Sequence, residues 1–196
     1  NFTNVSSKSK QVNDLIKKMK RQIRVNGGQH SATMHYISNY GYIPLWIVVK
    51  VLSFGIVSEM FTILKPEDQV DIAKIFNVSS EDLLVYLPIL ANYRNLCAHE
   101  DILYDHRTQR VIENNKYHEK LNIPKMDGEY IYGKDDLFAL IIILKYLLRP
   151  DEFKMLINEI SYEIDSLEGK LNVISIDKVL DRIGFPKNYN EIARLD

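Results

Sequence analysis

The longest apolar run of the chain, Leu137-Phe-Ala-Leu-Ile-Ile-Ile-Leu144, continues through Lys145 to Leu148. A bilayer-spanning helix needs about 20 such residues, and this run supplies only about half of them. A helix apolar on every side must be covered on every side, so the run predicts the central helix of a protein core. With 46% hydrophobic residues and twelve tyrosines among 196, the chain has enough material for one substantial core or two small ones. Glycine and proline number only eight and six, and no low-complexity tract or charge block separates two halves. One domain over residues 1–196 is therefore expected. The chain begins at Asn1 rather than methionine, and Asn1 to Ser9 lacks apolar periodicity, so it is expected to be the C-terminal part of a longer protein.

Charge and cysteine content narrow the setting. Twenty-five basic against twenty-six acidic side chains give a net charge of -1, so a polyanion site has to be local rather than a property of the whole surface. The sole cysteine, Cys97, excludes an internal disulfide framework and a cysteine-rich metal site, and it fits a reducing cytoplasm. With no secretory or membrane signal visible, no membrane partner is expected.

Helical spacing recurs along most of the chain. Val12, Leu15, Ile16, Met19 and Ile23 define an amphipathic helix, with Lys10, Lys17, Lys20, Arg21 and Arg24 on its remaining surface and Gly27-Gly28 at its end. Ordinary solvation and phosphate contact both account for that basic face. Pro44 suits the first turn of a helix Leu45 to Phe54, Gly55 is expected to break or bend it, and Ile56 to Leu64 resumes. Trp46 and Phe54, at helical spacing among aliphatics, read as core packing rather than as a base-stacking platform. Pro66-Glu67-Asp68 starts another helix, and Ser79-Ser80-Glu81-Asp82 caps the next. Asp105 to Lys134 reads as one long loop or small hairpin, with Asp127-Gly128 as a turn and Glu129 to Tyr132 as a short strand. Helices follow over Asp135 to Leu148, Asp151 to Leu167, Ser175 to Ile183 and Asn190 to Leu195. The expected class is all-α.

One stretch conflicts with this apolar pattern. Asn92-Tyr-Arg-Asn-Leu-Cys-Ala-His-Glu100 follows the apolar run Leu83 to Leu90, where buried polar groups are costly unless partnered. Pro88 is expected to kink or restart the helix just before it. Asn95 and His99, four residues apart, share a helix face, and Arg94 has the length to reach the same volume. An imidazole moves protons near neutrality and a guanidinium forks onto phosphate oxygens, a pairing suited to RNA cleavage through the neighbouring 2′-hydroxyl. An ion pair of Arg94 with Glu100 or Asp101, beside a satisfied histidine, is the structural alternative. Cys97 reads as a small buried residue. His30, His35 and His118 lack partners at ligand spacing, so no metal and no cofactor are expected.

Arg94-Asn95-Leu96-Cys97-Ala98-His99 resembles the R-x4-H signature of the HEPN superfamily, all-helical domains that include many metal-independent ribonucleases. His35-Tyr36 through Tyr40-Gly41-Tyr42-Ile43-Pro44-Leu45-Trp46, then Val51-Leu52-Ser53-Phe54-Gly55, and the closing Gly184-Phe185-Pro186 are similar to ordered blocks of the Abi-like (AbiD/AbiF) family of bacterial phage-defence proteins. The resemblance implies a HEPN-like helical bundle with extra helices, and an endoribonuclease or toxin-like protein of an abortive-infection system. Its catalytic residues would be Arg94, Asn95 and His99, in a homodimer with the two motifs facing. RNA would be the partner, contacted also by Lys17, Lys20, Arg21, Arg24, His106 and Arg107, with an antitoxin or a phage-derived trigger as further partners. A non-catalytic HEPN module that binds RNA or a protein is the competing expectation. Downstream of the motif the chain departs from the family's second histidine and Arg-Leu-Trp-Asn-Arg-like run, reading Glu100-Asp101-Ile102-Leu103-Tyr104-Asp105-His106-Arg107 instead.

Overall fold

The computed structural model describes residues 6–195, so the expectation for Asn1 to Ser9 falls partly outside the described residues. The fold is all-α, with ten α-helices among the described residues and a single pair of two-residue strands. Two compact units divide between Lys74 and Ile75.

In the first unit, α1 (Ser6–Asn26) lays its apolar stripe against α3 (Leu45–Val51) and α4 (Phe54–Ile63). Leu15 is fully buried there with Val48, Leu52, Ile56 and Ile63, and Val12, Met19 and Ile23 pack around them. The spacing of the α1 apolar residues thus maps directly onto the face that is covered. α2 (Ser31–Tyr40) is capped by His30, whose Nδ1 accepts from the Thr33 backbone N–H, and it ends at Gly41 in a left-handed conformation. The break between α3 and α4 falls at Leu52–Ser53 rather than at Gly55. Ser53 caps α4 by accepting from Ile56 N–H, and Gly55 then sits in the first turn, where no ladder bond depends on it. Trp46, expected in the core, is 56% exposed instead. Its ring meets Tyr36 edge-on at 5.6 Å, and Tyr36 in turn lies 5.5 Å from Tyr40. The aliphatic positions beside it, Ile47, Val48 and Val51, take the buried face of that short helix. α5 (Pro66–Ile75) begins on proline with Glu67 and Asp68 in its first turn, as expected.

The second unit is built on α8 (Leu137–Leu147), the helix of the long apolar run. Phe138, Ala139, Ile141, Ile142 and Ile143 are all buried, and α8 packs against α6 (Ser80–Ala98) and α9 (Pro150–Glu168). Asp136 caps α8, accepting from Ala139 N–H at 2.9 Å and from Gly133 N–H at 2.9 Å. This carboxyl is only 2% exposed, and burial pushes its pKa up to about 6 against the two hydrogen bonds that favour the anion. What covers it is the C-terminal turn. α10 (Ile176–Ile183) ends on Gly184, at φ +84°, where an added Cβ would lie 2.3 Å from the Asp136 carboxyl. The Gly184-Phe185-Pro186 sequence therefore has a packing cause: a side-chain-free lid on a buried carboxyl, followed by Phe185 against the Phe138 ring at 5.3 Å.

Residues 105–134 hold more order than a loop. α7 (Lys116–Lys120) was not legible in the sequence because its anchor is tertiary: His118 is fully buried, with Nε2 2.8 Å from the Gly133 carbonyl and Nδ1 accepting from Asn115 N–H. Those partners define the neutral tautomer protonated on Nε2, and burial lowers the pKa of the ring. The expected hairpin is present in shortened form, Lys125–Met126 pairing antiparallel with Glu129–Tyr130 across Asp127-Gly128, both at positive φ. Among the described residues no helix is long and apolar enough to cross a membrane.

Candidate active site

The Arg94 to His99 stretch is the last turn and a half of α6. Ser79 starts this helix by accepting from Asp82 N–H at 2.9 Å, and the helix then runs without restarting through Pro88 to Ala98. One missing N–H is tolerated because Leu83, Tyr86 and Ile89 keep one face of the segment buried on both sides of it. The last buried position is Tyr93, 2% exposed. Arg94, Asn95, Cys97 and His99 all face solvent. The expected desolvation conflict therefore does not arise, and Cys97, expected to be buried, is exposed because it lies on the polar side of the turn.

The helix end itself is well defined. His99 is the C-cap and Glu100 adopts the left-handed conformation at φ 56°. Asp101 N–H donates to the Leu96 carbonyl at 3.0 Å and Glu100 N–H to the Cys97 carbonyl at 3.4 Å, the paired closing bonds of a Schellman turn. Glycine is the usual residue there, and a glutamate holds the position at a conformational cost of about 1 kcal/mol.

Of the three expected catalytic residues, the structure brings two into contact. An Arg94 Nη1–H donates to Asn95 Oδ1 at 3.4 Å. Asn95 and His99 are joined through the backbone, His99 N–H to Asn95 carbonyl at 3.0 Å, but their side chains share no hydrogen bond, so the amide does not orient the imidazole. Neither Glu100 nor Asp101 pairs with Arg94, and among the described residues the His99 ring has no hydrogen-bond or ionic partner. The ion-paired alternative is thus not what the chain forms.

Beside this turn lies an arrangement that spacing could not reveal. His106 Nε2 is 2.6 Å from Asn92 Oδ1, and the ring stands edge-on to Tyr93 at 5.3 Å. Arg107 donates to the carbonyls of His106 and Arg182, at 3.2 and 2.9 Å. Asn92 was visible only as part of the polar cluster, since its partner is fourteen residues away in a segment with no helical register. On α1, Lys17 pairs with Asp14, whereas Lys20, Arg21 and Arg24 are exposed with no ion pair among the described residues. Lys18, not singled out from sequence, is tied to Glu59 at 2.8 Å. Among the described residues no three histidine, cysteine or acidic side chains gather as a metal site.

An all-α protein with an unpaired, solvent-facing Arg-x4-His turn closing one helix is the class that fold and geometry define. The chain belongs to the Abi-like protein family, whose model matches residues 1–105 and so includes the whole of that turn. The family points to a role in abortive infection, a form of phage defence. Comparisons with curated proteins and with solved structures find no match.

Proposed function

We propose that this protein is an endoribonuclease of an abortive-infection or toxin-like system, a HEPN-type enzyme that cleaves RNA without a metal at Arg94, Asn95 and His99. The observation that carries the reading is that, among the described residues, Arg94 pairs with no carboxylate and the His99 ring has no partner, while both are exposed at the end of one helix. In the reaction the substrate 2′-oxygen attacks phosphorus as its proton is removed, the P–O5′ bond breaks, and the leaving oxygen takes up a proton. His99 exchanges the proton, and the Arg94 guanidinium holds the phosphate and offsets the charge that develops on it. The Arg94–Asn95 contact limits the rotamers of the guanidinium and leaves most of its donors available. One motif supplies a single imidazole, so a two-fold dimer with facing motifs provides both a base and an acid. Lys20, Arg21 and Arg24, exposed on α1 with no ion pair among the described residues, are available for sequence-independent phosphate contact.

RNA cleavage in the presence of a chelator, by the wild type and by Arg94→Ala and His99→Ala, tests this assignment. Both variants are expected to lose at least ~100-fold in rate; cleavage that both substitutions leave intact removes these residues from the reaction. A second reading, a non-catalytic module that binds a protein partner, has its own support in the exposed aromatic face of the first unit, where Tyr40, Tyr42 and Trp46 are each more than half exposed. Tight partner capture with no turnover of any RNA favours it.

A further inference from the structure

We propose that the cleft between α6 and the segment His106–Arg110 is a second phosphate subsite, taking a neighbouring backbone phosphate of the RNA strand rather than the scissile one; this rests on the ribonuclease reading above. The cleft has a volume of about 390 Å³ and is lined by Pro88, Ile89 and Asn92 of α6 on one side and by residues 106–110 on the other. That volume suits a nucleotide-sized group.

Its chemistry is that of a phosphate receptor. Arg107 is pre-positioned by two backbone carbonyls, which consume two of its five N–H donors; Asp135 lies 4.0 Å from it, and the buried Asp136 also feels its charge. Arg110 is exposed with no ion pair among the described residues. Asp105, which would otherwise oppose an anion here, is held by Arg182. Gln109 adds an uncharged donor to the rim, Thr108 is spent on the carbonyls of Arg110 and Asp135 and so fixes the turn, and the apolar Pro88 and Ile89 side is suited to a sugar or base edge. Fixed guanidinium groups beside such donors recognise phosphate through charge-assisted, forked hydrogen bonds.

Placement relative to the motif selects the ligand. Pro88, Asn92, Asn95 and His99 fall on one stripe of α6, and Asn92 precedes His99 by seven residues, so their directions agree within about 20° and they stand roughly 10 Å apart along the axis. That separation is too great for both ends to grip one phosphate. It suits two phosphates of one strand lying along the stripe, with His106, fixed by Asn92, in the wall of the cleft.

The test is the affinity of the full chain for a labelled, 2′-O-methylated oligouridylate, which cannot be cleaved, measured across a range of salt for wild type, Arg110→Ala and Arg110→Lys. Arg110 is the probe because its side chain holds nothing in place, whereas Arg107 also secures the Arg182 carbonyl. Arg110→Ala is expected to weaken binding roughly fivefold and to reduce the slope of log affinity against log salt by about 0.7, and Arg110→Lys to retain most of both. Unchanged affinity and slope in Arg110→Ala overturn the subsite, even where His99→Ala abolishes cleavage and the catalytic reading stands. Weakened binding in Arg110→Ala with no cleavage by any form upholds the subsite while the ribonuclease reading fails. A loss confined to competition by adenosine monophosphate, with oligouridylate binding unaffected, assigns the cleft to free nucleotide and overturns the RNA assignment.

Discussion

Replacing Asp136 by asparagine is expected to change how the stability of the protein depends on pH. In the folded state this carboxyl lies under Gly184 and has its pKa raised from 3.8 to about 6. Below about pH 3 it is protonated in both the folded and the unfolded chain, and it imposes no charge penalty. As pH rises through 4 the unfolded chain releases the proton readily while the folded chain still holds it, so stability contributed by this group declines until pH passes 6 and both forms are ionised. The difference of about 2 pKa units corresponds to about 3 kcal/mol in all, of which about 2 kcal/mol is lost between pH 4 and pH 7. Asparagine removes the titration and keeps the cap, because Oδ1 accepts from both Gly133 N–H, at 3.1 Å, and Ala139 N–H, at 2.9 Å. Urea unfolding at pH 4 and pH 7 for both proteins isolates the group, since every other carboxylate contributes equally to the two curves. The variant should gain about 2 kcal/mol relative to wild type on going from pH 4 to pH 7. A wild-type-to-variant difference that is the same at both pH values refutes the idea that this carboxyl is held in a desolvated site.

Gly184→Ala places a methyl group 2.3 Å from that same carboxyl at a backbone φ of +84°, so it should destabilise the fold by about 3 kcal/mol or more through lost capping and backbone strain together; a thermal midpoint within 2 °C of wild type counts against the packing described. Glu100→Gly relieves the left-handed glutamate at the end of α6 and removes a carboxylate from the negative end of the helix, and a gain of about 1 kcal/mol in denaturant unfolding is expected. No gain, or a loss, contradicts the helix-end geometry. Trp46 is the only tryptophan and is 56% exposed, so its emission should be that of a solvated indole and iodide should quench it efficiently; a blue-shifted, protected emission contradicts its place on the surface.

What the sequence revealed and what it hid follow from the range of the interactions involved. α8 was legible because a run apolar on all sides and too short to span a bilayer has to be covered on all sides, and the helix starts at Ser79 and Pro66 were legible because their signals lie within one turn. The stripe that joins Asn95 to His99 was likewise a matter of helix period. Trp46 and Cys97 were misplaced because residue type alone does not say which side of a helix faces the core, and in both cases aliphatic or tyrosine neighbours took the buried side. Pro88 was expected to interrupt a helix that in fact runs through it, since burial of Ile89 outweighs a single lost bond, and the break expected at Gly55 falls earlier, at Leu52–Ser53, because Ser53 supplies the cap. α7, the Asp136 site and the His106–Asn92 pair depend on contacts across 15, 48 and 14 residues, and no local pattern encodes them.

The most direct measurement of the central claim is the chemistry of the ends produced when wild-type protein and His99→Ala are incubated with RNA in excess chelator. Attack by the 2′-oxygen with proton transfer through His99 predicts fragments ending in 2′,3′-cyclic phosphate and beginning with 5′-hydroxyl, formed by the wild type and absent with His99→Ala. Fragments carrying 5′-phosphate, or cyclic ends formed equally by His99→Ala, contradict it.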